Sequence, residues 1–338
     1  VSFLAQNAGK RSLTLNLKHP EGREIFFRLV EQADVVVENF RPGVMDRLGL
    51  GFEKLKEINP RLVYCAISGF GQDGPMKDSP AYDQIIQGLS GVMSVTGNGE
   101  SGPLRVGFPL ADTIGGITAA MGITASLSKQ EREAVLIDVS MLESTMASMG
   151  WVISNYLTAG VDPMRMGNEN FTSAPSGTFQ TGDGLLNIAA NKQEQFEILC
   201  KLLKREELLH HPVFKTRELR KTNRELLKTE LESELKNNDA KCWSELLNKA
   251  GVPAGEVLAV PDALSLDQIQ QREFLETFRD VPGIGSSLQV VKTGMQLNGK
   301  TLTVDRPPPR LGEDTVAILK DCGYEEDVIE KLQAEKVI

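Results

Sequence analysis

Between residues 1 and 145 the sequence sets three short β-type runs, at 34–38, 62–67 and 134–138, among segments of helical pattern. Apolar runs that alternate with helices at this spacing cannot pair through tight hairpins. They call for crossover connections and a parallel sheet covered on both faces. The helical segments are readable one by one. In 19–33, Ile25, Phe26, Leu29 and Val30 fall on one face and Pro20 suits the first turn. Further helices are predicted at 44–48 and 52–58, the second closed by Asn59-Pro60, and at 82–91. The expected fold class is therefore α/β, with a Rossmann-like parallel sheet in a large domain over 1–145.

The texture changes afterwards. One long helix is predicted over 140–157, and the stretch up to 176 is rich in Gly, Pro, Asn and Met without clear period, so 146–176 reads as a linker. Residues 177–275 read as a smaller α+β domain. It has strand signals at 178–179 and 185–190 and a helix delimited by Asp239 as N-cap, Gly251 past its end and Pro253 beyond. Residues 276–338, including the segment from Phe278 to Pro309, read as a linker and a C-terminal segment that returns to the large domain, with a terminal helix near Asp314. At 338 residues and 41% hydrophobic side chains, the chain has material for one large core or two ordinary ones.

Charge and residue usage exclude several functions. A net charge of −9 leaves no basic stripe for a nucleic acid, so none is expected as a partner. Lys10, Arg11, Lys18, Arg23, Arg41 and Arg47 nevertheless form a local basic set sufficient for one polyanionic small molecule. The longest uncharged run, 144–161, is too polar for a bilayer core, and no membrane partner is expected. Four scattered cysteines without C-x-x-C spacing read as reduced thiols of an intracellular compartment. The three histidines have no metal-ligand spacing, so no metal is expected and a Ser-His-Asp site is improbable. Gly69-x-Gly71-x-x-Gly74 matches a dinucleotide fingerprint in form, but Pro75 and Pro80 interrupt the helix that such a turn must open, so it reads as a structural loop.

Asp112 stands apart. It is the only charged residue between Arg105 and Lys129, within a run of apolar and small residues. A carboxylate there is either the N-cap of a helix over 113–128 or a working nucleophile or acid/base group aimed into a cleft by that helix start. Spacing alone leaves both open.

Several strings, in order, carry a resemblance: Val37-Glu38-Asn39-Phe40-Arg41-Pro42-Gly43, Ile58-Asn59-Pro60-Arg61-Leu62, Ser68-Gly69-Phe70-Gly71-Gln72-Asp73-Gly74-Pro75, Ile137-Asp138-Val139-Ser140-Met141-Leu142 and Leu311-Gly312-Glu313-Asp314-Thr315. Together they resemble the class III coenzyme A transferases. The resemblance implies an enzyme that moves CoA from an acyl-CoA donor such as succinyl-CoA to a dicarboxylic acid such as glutarate, through an aspartyl anhydride and an aspartyl-CoA thioester. It makes Asp112 the catalytic carboxylate. It puts coenzyme contacts at Leu15, Asn16, Leu17, Lys18, Asn39, Phe40, Arg41, Arg47, Tyr82 and Asp83. Lys10 or Arg11 would take the acceptor's distal carboxylate, and amides of Gly97, Gly99 or Gly102 are candidates for the oxyanion. Coenzyme A is a substrate here, with no tightly bound cofactor. The resemblance further implies an interlocked homodimer in the mitochondrial matrix, and a sheet whose first βαβ unit is missing from this chain. Two other readings compete. An α-methylacyl-CoA racemase would need a histidine where Tyr82 stands, and a non-catalytic protein would bind acyl-CoA without turning it over.

Overall fold

In the computed structural model, which describes every residue except Val1, Asp280, Pro282, Gly285 and Ser286, helices and strands alternate as the patterning predicts. The order is α1 (Pro20–Gln32), β1 (Val35–Glu38), α2 (Phe52–Ile58), β2 (Val63–Ser68), α3 (Asp83–Leu89), α4 (Leu110–Leu127), β3 (Val135–Ser140) and α5 (Met141–Ser148), with a short turn of helix at Val44–Arg47. His19 caps α1: its Nδ1 accepts the Glu21 N–H at 3.3 Å, and Pro20 fills the first turn, where its missing N–H costs nothing.

The three strands form a parallel sheet in the order β1-β2-β3. Val35 pairs with Val63 and Val63 with Val135, and the ladder runs on to Glu38↔Ala66 and Ser68↔Ser140. Because side chains alternate, β2 feeds two cores at once. On one face Tyr64 and Ala66 pack with Val30 of α1 and Leu55 of α2. On the other, Cys65 and Val139 pack with Ala119 of α4. This layering explains why the strand reads as a continuous apolar run. Burial also pushes the Cys65 thiol up to about 11, so it is an inert core group.

The chain forms two compact units. The first holds the described residues of Val1–Ser90, Pro109–Ser148 and Ala263–Ile338; the second holds Gly91–Phe108 and Met149–Asp262. In the first, the helices Thr315–Asp321 and Glu326–Ala334 bury Leu319, Ile329 and Leu332 against Ile25 and Leu15. An extended stretch from Gly9 to Asn16 runs along them. Ser12 N–H donates to the Asp314 carboxylate at 2.8 Å and Asp314 N–H returns a bond to Ser12 O at 3.0 Å. Gly312 N–H meets Ser12 Oγ at 3.0 Å, and Asn16 N–H meets Val337 O at 2.8 Å. Of the segment from Phe278 to Pro309 read as a linker, Asp280, Pro282, Gly285 and Ser286 lie outside the described residues. Its flanks hold an antiparallel pair, Leu275–Phe278 with Leu288–Val291.

The second unit has an antiparallel sheet, β4 (Ser176–Gln180), β5 (Leu185–Ala189) and β6 (Ala254–Glu256), in that order. Phe179, Leu186 and Ile188 pack with Phe196, Leu199, Leu231 and Leu247 from its helices. Asp239 caps the helix Ala240–Lys249 through the Cys242 N–H at 2.6 Å, as its spacing predicts.

Two predicted helices differ. The segment at 140–157 is two helices, α5 and Gly150–Ala159, because Met149 leaves the helical region at φ −85°, ψ 20°. Gly150, the weakest helix former in the segment, opens the second one. The helix predicted at 113–128 starts three residues early, at Leu110. This α4 is long and apolar enough to cross a membrane by length and composition, a property not picked out in the sequence. Its Ala111, Gly115 and Ala119 are buried, which is the pattern of a layer helix on a sheet, while Ile117 and Met121 on its outer side are exposed.

Candidate active site

Strands β2 and β3 end level with one another and β1 stops two residues short of them, and the residues that follow each end converge. Asn39, just beyond β1, donates through Nδ2 to Ile67 O at 2.7 Å. Beyond β2, Gly71 N–H donates to Ser68 Oγ at 3.0 Å with Gly71 at φ +91°, a conformation that side chains rarely adopt. Gln72 N–H donates to Asp138 Oδ2 at 2.9 Å, and Leu142 N–H, at the start of α5, donates to Gly69 O at 3.0 Å. The amides of Gly71 and Gln72 are thus spent on holding a loop, and no helix opens there. Ligands of open α/β sheets bind at this carboxyl edge.

Asp112 arrives at the same edge. The Ala111 side chain beside it packs with Ile86 and Met141, against Ile67 and Phe70. Since α4 begins at Leu110, Asp112 is the third residue of its first turn and not the N-cap that one reading expected. Pro109 holds the cap position and makes no side-chain bond. The Ala111 N–H is accepted instead by Asp83 Oδ1 of α3 at 2.8 Å, while Asp83 Oδ2 accepts from Gln87 Nε2 at 2.8 Å. Asp83, Gln87 and Ala111 are all buried.

The Asp112 side chain is different again: it reaches solvent in this chain. It makes no hydrogen bond and no ion pair among the described residues. Burial by the surrounding protein, and after it the charge of Asp83, hold its carboxyl above the usual range. Both effects oppose the first-turn helix dipole, which favours the anion. A carboxylate with raised basicity and free lone pairs is equipped for nucleophilic attack.

The expected coenzyme positions fall into three groups in the first unit. Phe40, Arg41 and Arg47 are exposed after β1, and neither arginine makes an ion pair among the described residues. Phe40 N–H is tied to Glu38 Oε2 at 2.6 Å. Tyr82, 82% exposed, precedes α3, whereas Asp83 beside it points inward. In the stretch before α1, Lys18 is exposed, Asn16 Oδ1 accepts the Lys18 N–H at 3.1 Å, Leu17 is half-buried, and Leu15 packs on the C-terminal helices. Arg11 is already engaged, 3.1 Å from Asp321 and 3.9 Å from Asp314; Lys10 donates to Gln6 O. The glycines at 97, 99 and 102 belong to the second unit, where the Gly102 N–H is taken by Asn98 O at 3.2 Å.

Two cavities bear on ligand choice. One of about 480 Å³, over the α1 and α2 face of the sheet, is lined by Arg47 and Lys77 together with Glu38, Asp46, Tyr64 and Gln72. Burial, partly offset by the Phe40 amide, raises the Glu38 carboxyl, and Gln72 Nε2 is buried there without a partner among the described residues. The other, about 770 Å³ in the second unit, is lined by Trp151, Met164, Phe171, Asp162 and Glu169 with no lysine, arginine or histidine. Its charge suits neither phosphate nor carboxylate. Sequence reasoning missed Gln87 and Lys77. The four-residue spacing of Asp83 and Gln87 was a usable signal for the first; Lys77, in an irregular stretch, had none.

A layered α/β unit with a free carboxylate on a helix start at the carboxyl edge of its sheet defines an enzyme of the ligand-binding α/β class. The chain is matched over residues 1–315 by the model of CoA-transferase family III, and it belongs to that family. It is 39% identical over 328 residues to an acetyl-CoA:oxalate CoA-transferase of Acetobacter aceti, covering 96% of this chain and 82% of that protein. It is 33% identical over 339 residues to a succinyl-CoA:glutarate CoA-transferase of Mus musculus, covering 99% and 77%. The crystal structure of a CAIB/BAIF family protein from Brucella suis superposes with a TM-score of 0.83 at 35% identity, covering 95% of this chain and 83% of that one. The protein is a CoA-transferase with a mixed α/β fold and a parallel sheet, as the sequence strings and the patterning predict.

Proposed function

We propose that the protein transfers CoA from an acyl-CoA donor, succinyl-CoA, to a dicarboxylic acid such as glutarate, with Asp112 as the covalent carrier. The observation that carries this is the Asp112 carboxylate itself, unbonded, raised in basicity and set at the carboxyl edge of the sheet. The two relatives named above act on oxalate and on glutarate, both dicarboxylic acids.

In the proposed cycle an Asp112 oxygen attacks the thioester carbonyl; the C–S bond breaks and CoA leaves as thiolate, giving a mixed anhydride. The thiolate attacks the Asp112 carbonyl carbon, releasing the donor acid as carboxylate and leaving an aspartyl-CoA thioester. The acceptor carboxylate attacks that thioester, expels the thiolate and forms a second anhydride, and the thiolate then takes the acceptor's acyl group and frees Asp112. No net proton moves. The chain's task is orientation, which in favourable systems contributes roughly 7 to 11 kcal/mol. Arg41, Arg47 and Lys18 meet the coenzyme phosphates in this reading, and Phe40 and Tyr82 offer flat surface to its adenine.

Incubation with succinyl-CoA and labelled glutarate is expected to put label into a CoA ester. Exchange of the α-proton without transfer would make the protein a racemase. Mass spectrometry of enzyme quenched with hydroxylamine during turnover is expected to find Asp112 modified, and Asp112→Asn to lower kcat by at least about 10⁴-fold. An adduct on any other side chain would overturn this mechanism.

A further inference from the structure

We propose that Asp83 is a positioning residue of the transfer: from α3 it supplies the cap that the first turn of α4 lacks, and its fixed negative charge sets the field in which Asp112 attacks.

The first turn of a helix leaves N–H groups without helical partners. In α4 the cap position is a proline with no oxygen on its side chain. The Ala111 amide, one residue before the nucleophile, is satisfied by Asp83 Oδ1 at 2.8 Å across 28 residues of sequence. Asp83 is itself held. Gln87, fully buried, donates to its other oxygen at 2.8 Å and so fixes the carboxylate's rotamer. A rigid supporting group of this kind keeps a reacting side chain within the small tolerance that attack requires. The chain from α3 to the nucleophile is Gln87 to Asp83 to Ala111 N–H to Asp112.

The same arrangement sets two carboxylates close together. Asp112 is the only charged residue on α4. The titratable groups on the elements packed against α4 are Asp83 on α3, Tyr64 and Cys65 on β2, Asp138 on β3 and Glu143 on α5. Among these, Asp83 is the one whose charge acts on Asp112, and it acts to make that carboxylate more basic. Asp138 is occupied with the Gln72 amide.

The inference rests on Asp112 being the nucleophile. Asp83→Asn keeps an oxygen for the Ala111 N–H but removes the charge, and Gln87 can reverse its amide to match. Its expected signature is an acid limb of kcat/KM displaced to lower pH, a plateau kcat lowered about tenfold by the less basic carboxylate, and an unchanged KM for acyl-CoA. Asp83→Ala, which also removes the cap, is expected to lower kcat by about 10²-fold. Gln87→Leu removes the donor that offsets the charge and is expected to move the acid limb the opposite way; it carries the test should Asp83→Asn fail to fold. An acid limb that stays in place in the folded variant, or a loss confined to KM, overturns the proposal. Quenched mass spectrometry of the unsubstituted enzyme separates the two readings: transfer without an Asp112 adduct removes the nucleophile assignment, whereas an adduct with an unmoved limb removes only the role of Asp83.

Discussion

Arg47 combines three properties that suit phosphate binding: it is exposed, it makes no ion pair among the described residues, and it lines the cavity over the sheet beside Lys77. A guanidinium that meets a phosphate in water contributes about 1.5 to 3 kcal/mol. Arg47→Ala is therefore expected to raise KM for acyl-CoA roughly tenfold or more and to change kcat by less than about twofold, because the phosphates are remote from the thioester. Steady-state kinetics with varied succinyl-CoA measure this, and an unchanged KM would remove Arg47 from the coenzyme site. At this scale the sequence speaks clearly about charge and poorly about geometry. Asp112 is conspicuous because an isolated carboxylate in an apolar run needs a reason. Whether it caps or begins the helix turns on the position of one boundary, and local pattern leaves such boundaries uncertain by a residue or two. The deciding group, Asp83, lies 28 residues before Ala111, outside any local window.

Helix α1 carries a glycine where propensity alone would favour alanine by about 1 kcal/mol. The reason is contact: a Cβ on Gly22 would stand 2.1 Å from Asn16 O, the carbonyl that accepts the His19 N–H at 3.0 Å. Gly22→Ala must push this turn away, and an overpacked site of that kind costs about 1 to 3 kcal/mol. Urea unfolding is expected to register the loss, and an unchanged or higher midpoint would mean that the turn gives way freely. Most elements of the first unit were legible because their apolar periods are unmistakable, from Ile25 and Val30 in α1 to the continuous run of β2. The break at Met149 was not. The apolar pattern carries on across it, and only the weak helix formers Ser148 and Gly150 mark the place.

At the scale of the molecule, strings from opposite ends of the sequence form one local structure. Ser12, Gly312 and Asp314 are joined by three hydrogen bonds, and Arg306 adds an ion pair to Asp314 at 3.0 Å. The Ser12 amide, and then Arg306, hold the Asp314 carboxyl below its usual range. A depressed carboxyl stabilises the fold above its unfolded pKa, and that contribution is lost as pH falls through the folded value. Hydrogen exchange is expected to find the Ser12 amide protected at neutral pH and increasingly exposed below about pH 4, the ordinary carboxylate range. Asp314→Asn should flatten this dependence; an equally steep profile in that variant would assign it elsewhere. The α/β class and the family were readable from the sequence, since both rest on local strings, but the pairing of Ser12 with Asp314 was not, because nothing local links them. The chain also passes between its two units four times. During synthesis the stretch around Ser12 leaves the ribosome roughly 300 residues before its partners exist. Neither unit is a contiguous segment that a single cut would release, and the first stays open until residues 312–314 have been made and can meet the Ser12 stretch.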